Sequence, residues 1–502
     1  MRVPLSSVYI VSPATDSRIS TIKYETAFAS LAPLALGTWL QERLPDVEVI
    51  ARDGNILGQD AILAEIARRR PSVVAVSTLG MNYQNCLEIA RSSKEIGAIV
   101  VFGNDHAAQL SHAILTARPF VDYVICSEYG ELPFEFLLRH LSTGTPSLEE
   151  IPFLTYRDES GEVHGYVYPG RQQASNGFLA PYTEARKGAE LDSFPITNRK
   201  LYPDAIWQSC LDAFRQQTDM AFVRGEVTGV ATMNRARGCS RAKRPCTFCN
   251  IFSLDPRVSS PEMFWAEILR AHQDVAATVL YEVCDSFTSF PSFIRKLLAA
   301  RPRDLRFEPQ LIVYGQALEI VRHSSLPSML KDLGVFKVNL GLESGSDTTL
   351  RHMKGPDDSV EVNRQALEAL HSAGLRTYAS FVLGSEAETA ETLVETKDWI
   401  LSIMDDDLVD DIEIQPVLPY IGNREGELLQ ERGLFQIDPD NPDWPPDTDA
   451  LSRVFIDNAS GVSYAMVCEV VDQTTLHARK LGKTGCSAVM QSPPDLHTAG
   501  RS

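Results

Sequence analysis

Arg237-Gly238-Cys239-Ser240-Arg241-Ala242-Lys243-Arg244-Pro245-Cys246-Thr247-Phe248-Cys249-Asn250 is the stretch on which the reading of this chain turns. It sets three thiols in eleven residues with the spacing Cys-x6-Cys-x2-Cys, directly after a β-branched run near 229–235. Thiolates select soft metals, and three on one short loop can wrap a single ion or an iron–sulfur cluster. A zinc knuckle needs a fourth Cys or His, and the twenty residues after Cys249 contain neither. Three thiolates on a four-iron cluster would leave one iron open to a ligand. Zinc and inert thiols stay open beside the cluster on this evidence.

Downstream, strands are expected near 229–235, 278–283, 306–313, 335–342, 377–383 and 411–417, each followed by a helical pattern except the last. Six such units predict a partial barrel with the thiol loop at the C-terminal end of its first strand, the face on which barrels of this kind carry their chemistry. Upstream, Val8-Tyr9-Ile10-Val11, Val47-Glu48-Val49-Ile50, Val73 to Val76, Ala98 to Phe102 and Tyr123-Val124-Ile125 alternate with helical patterns near 28–43, 59–69, 84–95 and 131–141. That rhythm predicts an α/β fold that opens with a doubly wound parallel sheet, closing near residue 150. Ligands on such sheets sit beyond the carboxyl ends of the strands, here the loops after Pro13, Asp53, Ser77 and Gly103. The division expected is 1–150 for the sheet, 151–228 for a connector with a hairpin around Arg157 to Glu162, 229–433 for the partial (β/α)6 barrel, and 434–502 for a short, mainly helical tail. In that tail we expect a Pro/Asp-rich stretch (Asp438 to Asp449), one amphipathic helix near 450–481 and a disordered polar end.

Composition narrows the partners. The chain has 502 residues, with 47 Lys and Arg against 66 Asp and Glu, a net charge of −19. Such a polyanion repels phosphate backbones, so a nucleic-acid partner is not expected. No apolar run reaches eighteen residues and Met1 to Pro13 lacks a signal-peptide pattern, so the expectation is a cytoplasmic protein with no membrane partner. Nine cysteines in such a setting are expected as thiols, not disulfides. The run Asp405-Asp406-Asp407 with Asp410 and Asp411 reads as a solvated face, not as a divalent metal site.

A Cys-rich loop after the first strand of a β/α barrel, with an aromatic residue before the last Cys, resembles the radical S-adenosylmethionine (SAM) superfamily. The resemblance implies that Cys239, Cys246 and Cys249 hold a [4Fe-4S] cluster whose open iron binds SAM. The usual spacing is Cys-x3-Cys-x2-Cys, so three residues are inserted here, in a basic segment ending at Pro245. Asn339-Leu340-Gly341-Leu342-Glu343-Ser344-Gly345-Ser346, followed by Met353-Lys354-Gly355, resembles the family's fourth-strand signature beside SAM. Ala379 to Thr389 resembles the fifth-strand segment, with Glu-Ala where the family has Pro-Gly. Carried over residue by residue, Phe248, Glu343, Ser344 and Gly384 are the implied SAM contacts. Tyr281 to Phe287 ends the second strand with carboxylates at the mouth. Glu282, Asp285, Tyr314 and Glu413 are candidates for orienting a substrate, each equally able to satisfy a backbone group or a helix end.

The first sheet is similar to the cobalamin-binding domain of one large branch of that superfamily, through Val121 to Glu131 and through Leu191-Asp192-Ser193-Phe194-Pro195 on the approach to the barrel. The resemblance implies a cobalamin nucleotide tail beside Ser77 and Leu79 after the third strand and Gly103 and Asn104 after the fourth, Asn104 standing where a second Gly is usual. The Asp-x-His-x-x-Gly motif that would place a His on cobalt is absent: the first loop reads Pro13-Ala14-Thr15-Asp16-Ser17-Arg18. His106 reads as a loop or core histidine. The function implied is a cobalamin-dependent radical SAM methyltransferase acting on a carbon of a small-molecule or peptide-derived substrate in specialised metabolism, reduced by a donor such as flavodoxin or ferredoxin. The alternatives are a radical SAM enzyme without methyl transfer, performing ring formation, cleavage or oxidation after its first domain has lost cobalamin, and a zinc-bearing binding or regulatory protein.

Overall fold

The computed structural model describes residues 5–15, 27–167, 191–251, 255–435 and 448–483. The expected disordered end, most of the Pro/Asp-rich stretch and part of the first loop (Asp16 to Arg18) lie outside the described residues.

The first sheet contains strands β1 (Ser7–Ser12), β2 (Glu48–Asp53), β3 (Val73–Ser77), β4 (Ile99–Gly103), β5 (Tyr123–Ile125), β6 (Leu154–Arg157) and β7 (Val163–Gly165), in the order β2-β1-β3-β4-β5-β6-β7. Every residue of β1 is buried because helices cover both faces. Val8 and Ile10 pack with Trp39, Leu40 and Phe134 on one side, while Tyr9 and Val11 join the larger core on the other. The first five strands are parallel, as expected, but the sheet does not close near 150. Tyr123–Ile125 pairs antiparallel with Leu154–Tyr156, and the hairpin expected around Arg157 to Glu162 adds β7 beyond it. Three-residue β5 would otherwise present a bare edge, and the hairpin supplies its missing ladder partners.

The second sheet has the order β15-β14-β13-β12-β11-β8, all parallel: β8 (Val230–Met233), β11 (Val279–Glu282), β12 (Gln310–Gly315), β13 (Val335–Glu343), β14 (Arg376–Leu383) and β15 (Asp411–Pro416). A two-residue ladder, β9 (Ala236–Arg237) with β10 (Arg257–Val258), ties off the loop between β8 and its helix. Contacts that skip a strand show a concave face. Asn339 on β13 reaches Tyr281 on β11, and Lys337 on β13 reaches Asp411 on β15. The edge strands β8 and β15 do not pair with each other, so the barrel is partial.

The barrel floor is closed by charge. The turn Thr218–Ala221 brings Asp219 to Lys337 Nζ at 3.0 Å and to Arg376 Nε at 2.8 Å. Asp411 accepts from the same Lys337 Nζ at 2.6 Å and from Arg376 Nη2 at 3.1 Å. Asp411 is therefore fully buried, which corrects its reading as part of a solvated acidic face: it is the first residue of β15 and points inward. The expected single helix near 450–481 is two, Thr448–Ala459 and Tyr464–Lys480, bent by 114° around Ser460-Gly461. Gly461 N–H donates to the Glu388 carbonyl, which pins the break. The second helix packs on Ala390–Asp405 and on edge strand β15. No single helix among the described residues is long and apolar enough to cross a membrane.

Candidate cofactor and active site

The thiol loop is held from several directions. Gly238, at φ 90°, makes the turn out of β9, and its N–H donates to Asp285 Oδ2 at 2.8 Å. Within the insertion, Arg241 is gripped by Asp358 at 2.5 Å, by the Lys354 carbonyl at 2.6 Å and by Gln316 Oε1 at 2.8 Å. The extra residues relative to the shorter family spacing thus give the loop an anchor on the far side of the barrel. Thr247 N–H donates to the Met353 carbonyl, Arg424 N–H to the Thr247 carbonyl and Asn423 Nδ2 to the Phe248 carbonyl. Gln316 Nε2 approaches Cys239 Sγ at 2.5 Å.

These restraints gather the three thiols into one electrostatic neighbourhood. Burial pushes the Cys239 thiol up to about 11 and Cys246 to about 12, with Lys354 and Arg241 opposing the rise at Cys246. Bound metal would displace those protons. Among the described residues, the one set of three or more His, Cys, Asp or Glu ligand atoms lying within 4.8 Å of one another is Asp158, Glu162 and His164 on the β6–β7 hairpin. The sulfurs of Cys239, Cys246 and Cys249 are therefore spread wider than one tetrahedral zinc holds its ligands. That spread fits a multi-iron cluster better than a zinc knuckle, although Cys284 lies close by, its Sγ 3.9 Å from the Gly238 carbonyl.

Beside the loop, Glu343 ends β13 with φ 66°, where the register with β14 slips between Gly341 and Glu343. A non-glycine residue in this region is strained and is commonly found where function needs it. A methyl group at Gly341 would meet the Glu343 carboxylate, so a larger residue there would have to displace it. Burial raises the Glu343 carboxyl, against the pull of Lys354, whose Nζ lies 3.9 Å away, and of Arg241. The other implied SAM contacts are placed differently. The Ser344 hydroxyl is fully buried against Thr396 Oγ1 at 2.8 Å and also accepts from Ser346 N–H, so it faces the Ala390–Asp405 helix. Gly384 gives its N–H to Glu388 Oε2, and a Cβ there would come within 2.6 Å of Ile456 in the C-terminal extension. The Phe248 ring is half-buried against the core.

Where the two sheets meet, a cavity of about 390 Å³ is lined by Ser77, Gly103, Asn104 and Asp105 from the first and by Arg237 and Asp285 from the second. Arg257 bridges the two bodies, pairing with Glu128 at 2.8 Å and Tyr129 Oη at 2.6 Å. Thr232 Oγ1 donates to the Ala29 carbonyl at 2.7 Å. A Cβ on Gly103 would meet only the Ile125 carbonyl, at 3.9 Å, so the wall is open there. Asn104 takes φ 79°, the conformation a glycine would give. Its Oδ1 accepts from Asp105 N–H and its Nδ2 donates to Ser77 Oγ at 3.0 Å. The substitution for the second Gly therefore keeps the glycine-like turn at ψ 174°, where a side chain is strained. Leu79 is not on the cavity wall: it caps a 3-10 turn whose Asn82 side chain accepts from the Leu79 N–H. Burial pushes Asp105 up to about 7, helped by Glu128 and Asp285. His106 packs half-buried against Tyr83, the rings 4.8 Å apart, and desolvation holds it down to about 4.

The substrate candidates separate. Glu282 is fully buried and both carboxylate oxygens accept from Arg235 N–H, at 3.1 and 3.2 Å. Of the two roles open to it, it takes the backbone one, and burial pushes it up to about 8. Asp285 faces the cavity, Tyr314 is 37% exposed on the concave face, and Glu413 accepts from Tyr378 Oη. Sequence reasoning missed Arg241, Gln316 and Asn339. Gln316 follows a strand end, which is a usable signal, whereas the Arg241–Asp358 contact spans 117 residues and leaves none.

Two family models match the chain, the radical SAM superfamily over residues 233–400 and the B12 binding domain over 22–138. An anaerobic magnesium-protoporphyrin IX monomethyl ester cyclase from Rubrivivax gelatinosus is 30% identical over 370 residues, 70% of this chain and 59% of that protein. One from Cereibacter sphaeroides is 27% identical over 66% of this chain and 50% of that protein. The chain thus spans only a little over half the length of the curated relatives it matches. Among solved structures, the cobalamin-dependent radical enzyme OxsB, with aqua-cobalamin and SAM bound, aligns at TM-score 0.59 and 18% identity over 96% of this chain and 62% of that one. The methyltransferase TsrM from Kitasatospora setae, with cobalamin and a [4Fe-4S] cluster bound, aligns at TM-score 0.63 and 15% identity over 95% and 88%. A partial barrel with a three-thiol loop, a parallel sheet with an open glycine wall facing it, and both domain matches in that order lead to one assignment: the chain joins a B12-binding domain to a radical SAM domain, a pairing that implies a [4Fe-4S] cluster, SAM and cobalamin.

Proposed function

We propose that this chain is a cobalamin-dependent radical SAM enzyme that methylates a carbon of a small-molecule or peptide-derived substrate. The observation that carries the reading is the cavity between the two sheets, into which Ser77, Gly103 and Asn104 face from one side and Arg237 and Asp285 from the other. When bound, the cluster and SAM supply hydrogen abstraction from an unactivated carbon, and cobalamin supplies a methyl carrier. The protein's own part is positional. Cys239, Cys246 and Cys249 would hold the iron, Arg241 fixes their loop, Glu343 and Lys354 stand beside it, and the walls of the cavity limit water.

A second reading, ring formation without methyl transfer, is favoured by the curated relatives, which are cyclases. The test uses protein reconstituted without oxygen with iron, sulfide and hydroxocobalamin, then turned over with deuteromethyl SAM against a panel of substrates. About four iron and one cobalt per chain with label in the product support methylation. A product lighter by two hydrogens and free of label supports cyclisation. Iron retained in full by the Cys239→Ala/Cys246→Ala/Cys249→Ala variant would remove both readings.

The electron is proposed to come from a small acidic donor of the flavodoxin or ferredoxin kind. Lys243 and Arg244 are exposed beside the thiol loop and form no ion pair among the described residues, in a chain of net charge −19. Reversing both to Glu is expected to slow cluster reduction by flavodoxin several-fold at low salt and leave reduction by dithionite unchanged. Equal slowing with both reductants would reject the surface.

A further inference from the structure

The concave face of the barrel is layered by register. Ile312, Lys337 and Arg376 align across β12, β13 and β14 at the bottom. Tyr314, Asn339 and Tyr378 align in the next layer up, and Gly341, Ser380 and Glu413 across β13, β14 and β15 above that. Paired positions in a parallel sheet share a face, so these layers stack toward the mouth. The bottom layer is neutralised by Asp219 and Asp411. The middle one is not satisfied.

Asn339 is 2% exposed, and its Nδ2 donates to Tyr281 Oη at 3.4 Å while its Oδ1 has no partner. Turning the amide over would pair the oxygen with the tyrosine and orphan the nitrogen, so in either orientation one polar atom is unpaired. A buried amide without a partner costs free energy and is rare unless something supplies the bond. The walls around it are aromatic. Tyr281 and Tyr314 lie with ring centroids 5.5 Å apart, and Tyr378 sits in the same layer with its hydroxyl turned to Glu413. Three phenol rings and one unfilled amide suit a flat molecule with a hydrogen-bond donor on its rim.

We propose that Asn339 is a substrate-recognition residue, and that the substrate presents an aromatic or heteroaromatic ring bearing an N–H or O–H, seated beside Tyr281 and Tyr314 with that donor on Asn339 Oδ1. This names the substrate class of the radical SAM reading above and rests on it. The ring lies below the layer that holds Glu413, so the part of the substrate nearer the thiol loop and the intersheet cavity is its substituent.

The experiment uses the full chain reconstituted with cluster, hydroxocobalamin and SAM. Indole and benzothiophene are the probes, two bicycles of nearly the same shape that differ in the ring N–H. Dissociation constants come from ligand-observed NMR, with iron and cobalt measured on the same samples. The parent is expected to bind indole about tenfold more tightly than benzothiophene. Asn339→Leu is expected to equalise the two by weakening indole, with cofactor content unchanged. Asn339→Ser, which adds no volume, carries the same expectation should Leu disturb the fold. Equal affinities in the parent, a preference that survives both substitutions, or no binding of either bicycle to loaded protein would overturn the proposal. Protein that takes up no iron would instead count against the radical SAM reading, so the two failures are told apart.

Discussion

The floor and the mouth of the barrel treat buried polar groups in opposite ways. At the floor, Lys337 and Arg376 face Asp219 and Asp411, so that two cations and two anions cancel with all four side chains nearly or wholly buried. Toward the mouth, Asn339 keeps an unpaired amide atom, Glu343 is strained into a positive φ, and Glu282 and Asp285 are carboxyls raised by burial. The same sheet thus spends charge on closure at one end and leaves it unsettled at the other. That contrast is what a barrel enzyme needs, because groups already satisfied by the fold have nothing left for a ligand.

The largest effect expected from breaking the contrast is at the floor. Lys337→Met takes away one of the two buried cations that Asp219 and Asp411 share among the described residues, and removing one partner from such a network costs about 3 kcal/mol or more. A fall of several degrees in Tm, with iron uptake intact in whatever remains folded, is the expected result. A variant as stable as the parent would show that the floor charges do not hold the barrel closed.

At the mouth, filling space is expected to cost binding and not stability. Gly103→Leu introduces a side chain where the cavity wall is open, at a backbone position outside the left-handed region. Cobalamin content after reconstitution is expected to fall several-fold while Tm stays within a few degrees of the parent. Undiminished cobalt would move the cofactor away from the β3 and β4 loops and take with it the reading of Ser77 and Asn104.

How far these two ends could be read from sequence follows the range of the interactions. Strand–helix alternation is local, so all six barrel strands and the five parallel strands of the first sheet were readable from β-branched runs. The hairpin that extends the first sheet was readable as a hairpin but not as part of that sheet, because edge pairing depends on what else is near β5. The thiol loop announced itself through spacing. Asp411 did not, because its acidic neighbours suggest solvent, and only the inward alternation of β15 carries it to Lys337. Asn104 looked like a loss of the glycine turn, yet it holds φ 79° and ψ 174°, a region nearly reserved to glycine, and its side chain bridges to Ser77. Ser344 and Leu79 were transferred from a family pattern by position. The Ser344 side chain is committed to Thr396, and Leu79 gives its backbone N–H to Asn82 in a local turn, since a motif fixes the backbone path better than it fixes where each side chain ends.

The last effect expected tests the contrast inside a single residue. Glu282 accepts two bonds from the Arg235 N–H, as a structural group would, but burial holds its carboxyl up to about 8 from an ordinary 4.5. Between those values the folded chain binds a proton that the unfolded chain has released, so the contribution of Glu282 to stability falls as pH rises through that window and levels off above about 8. Glu282→Gln keeps an oxygen for Arg235 and has nothing to ionise. Relative to the parent, the variant is expected to gain stability steadily from about pH 4.5 to about pH 8, read as the difference in Tm across that series. A pH-independent difference would mean that Glu282 is ionised throughout, and that the buried acids near the mouth are as well compensated as the charges at the floor.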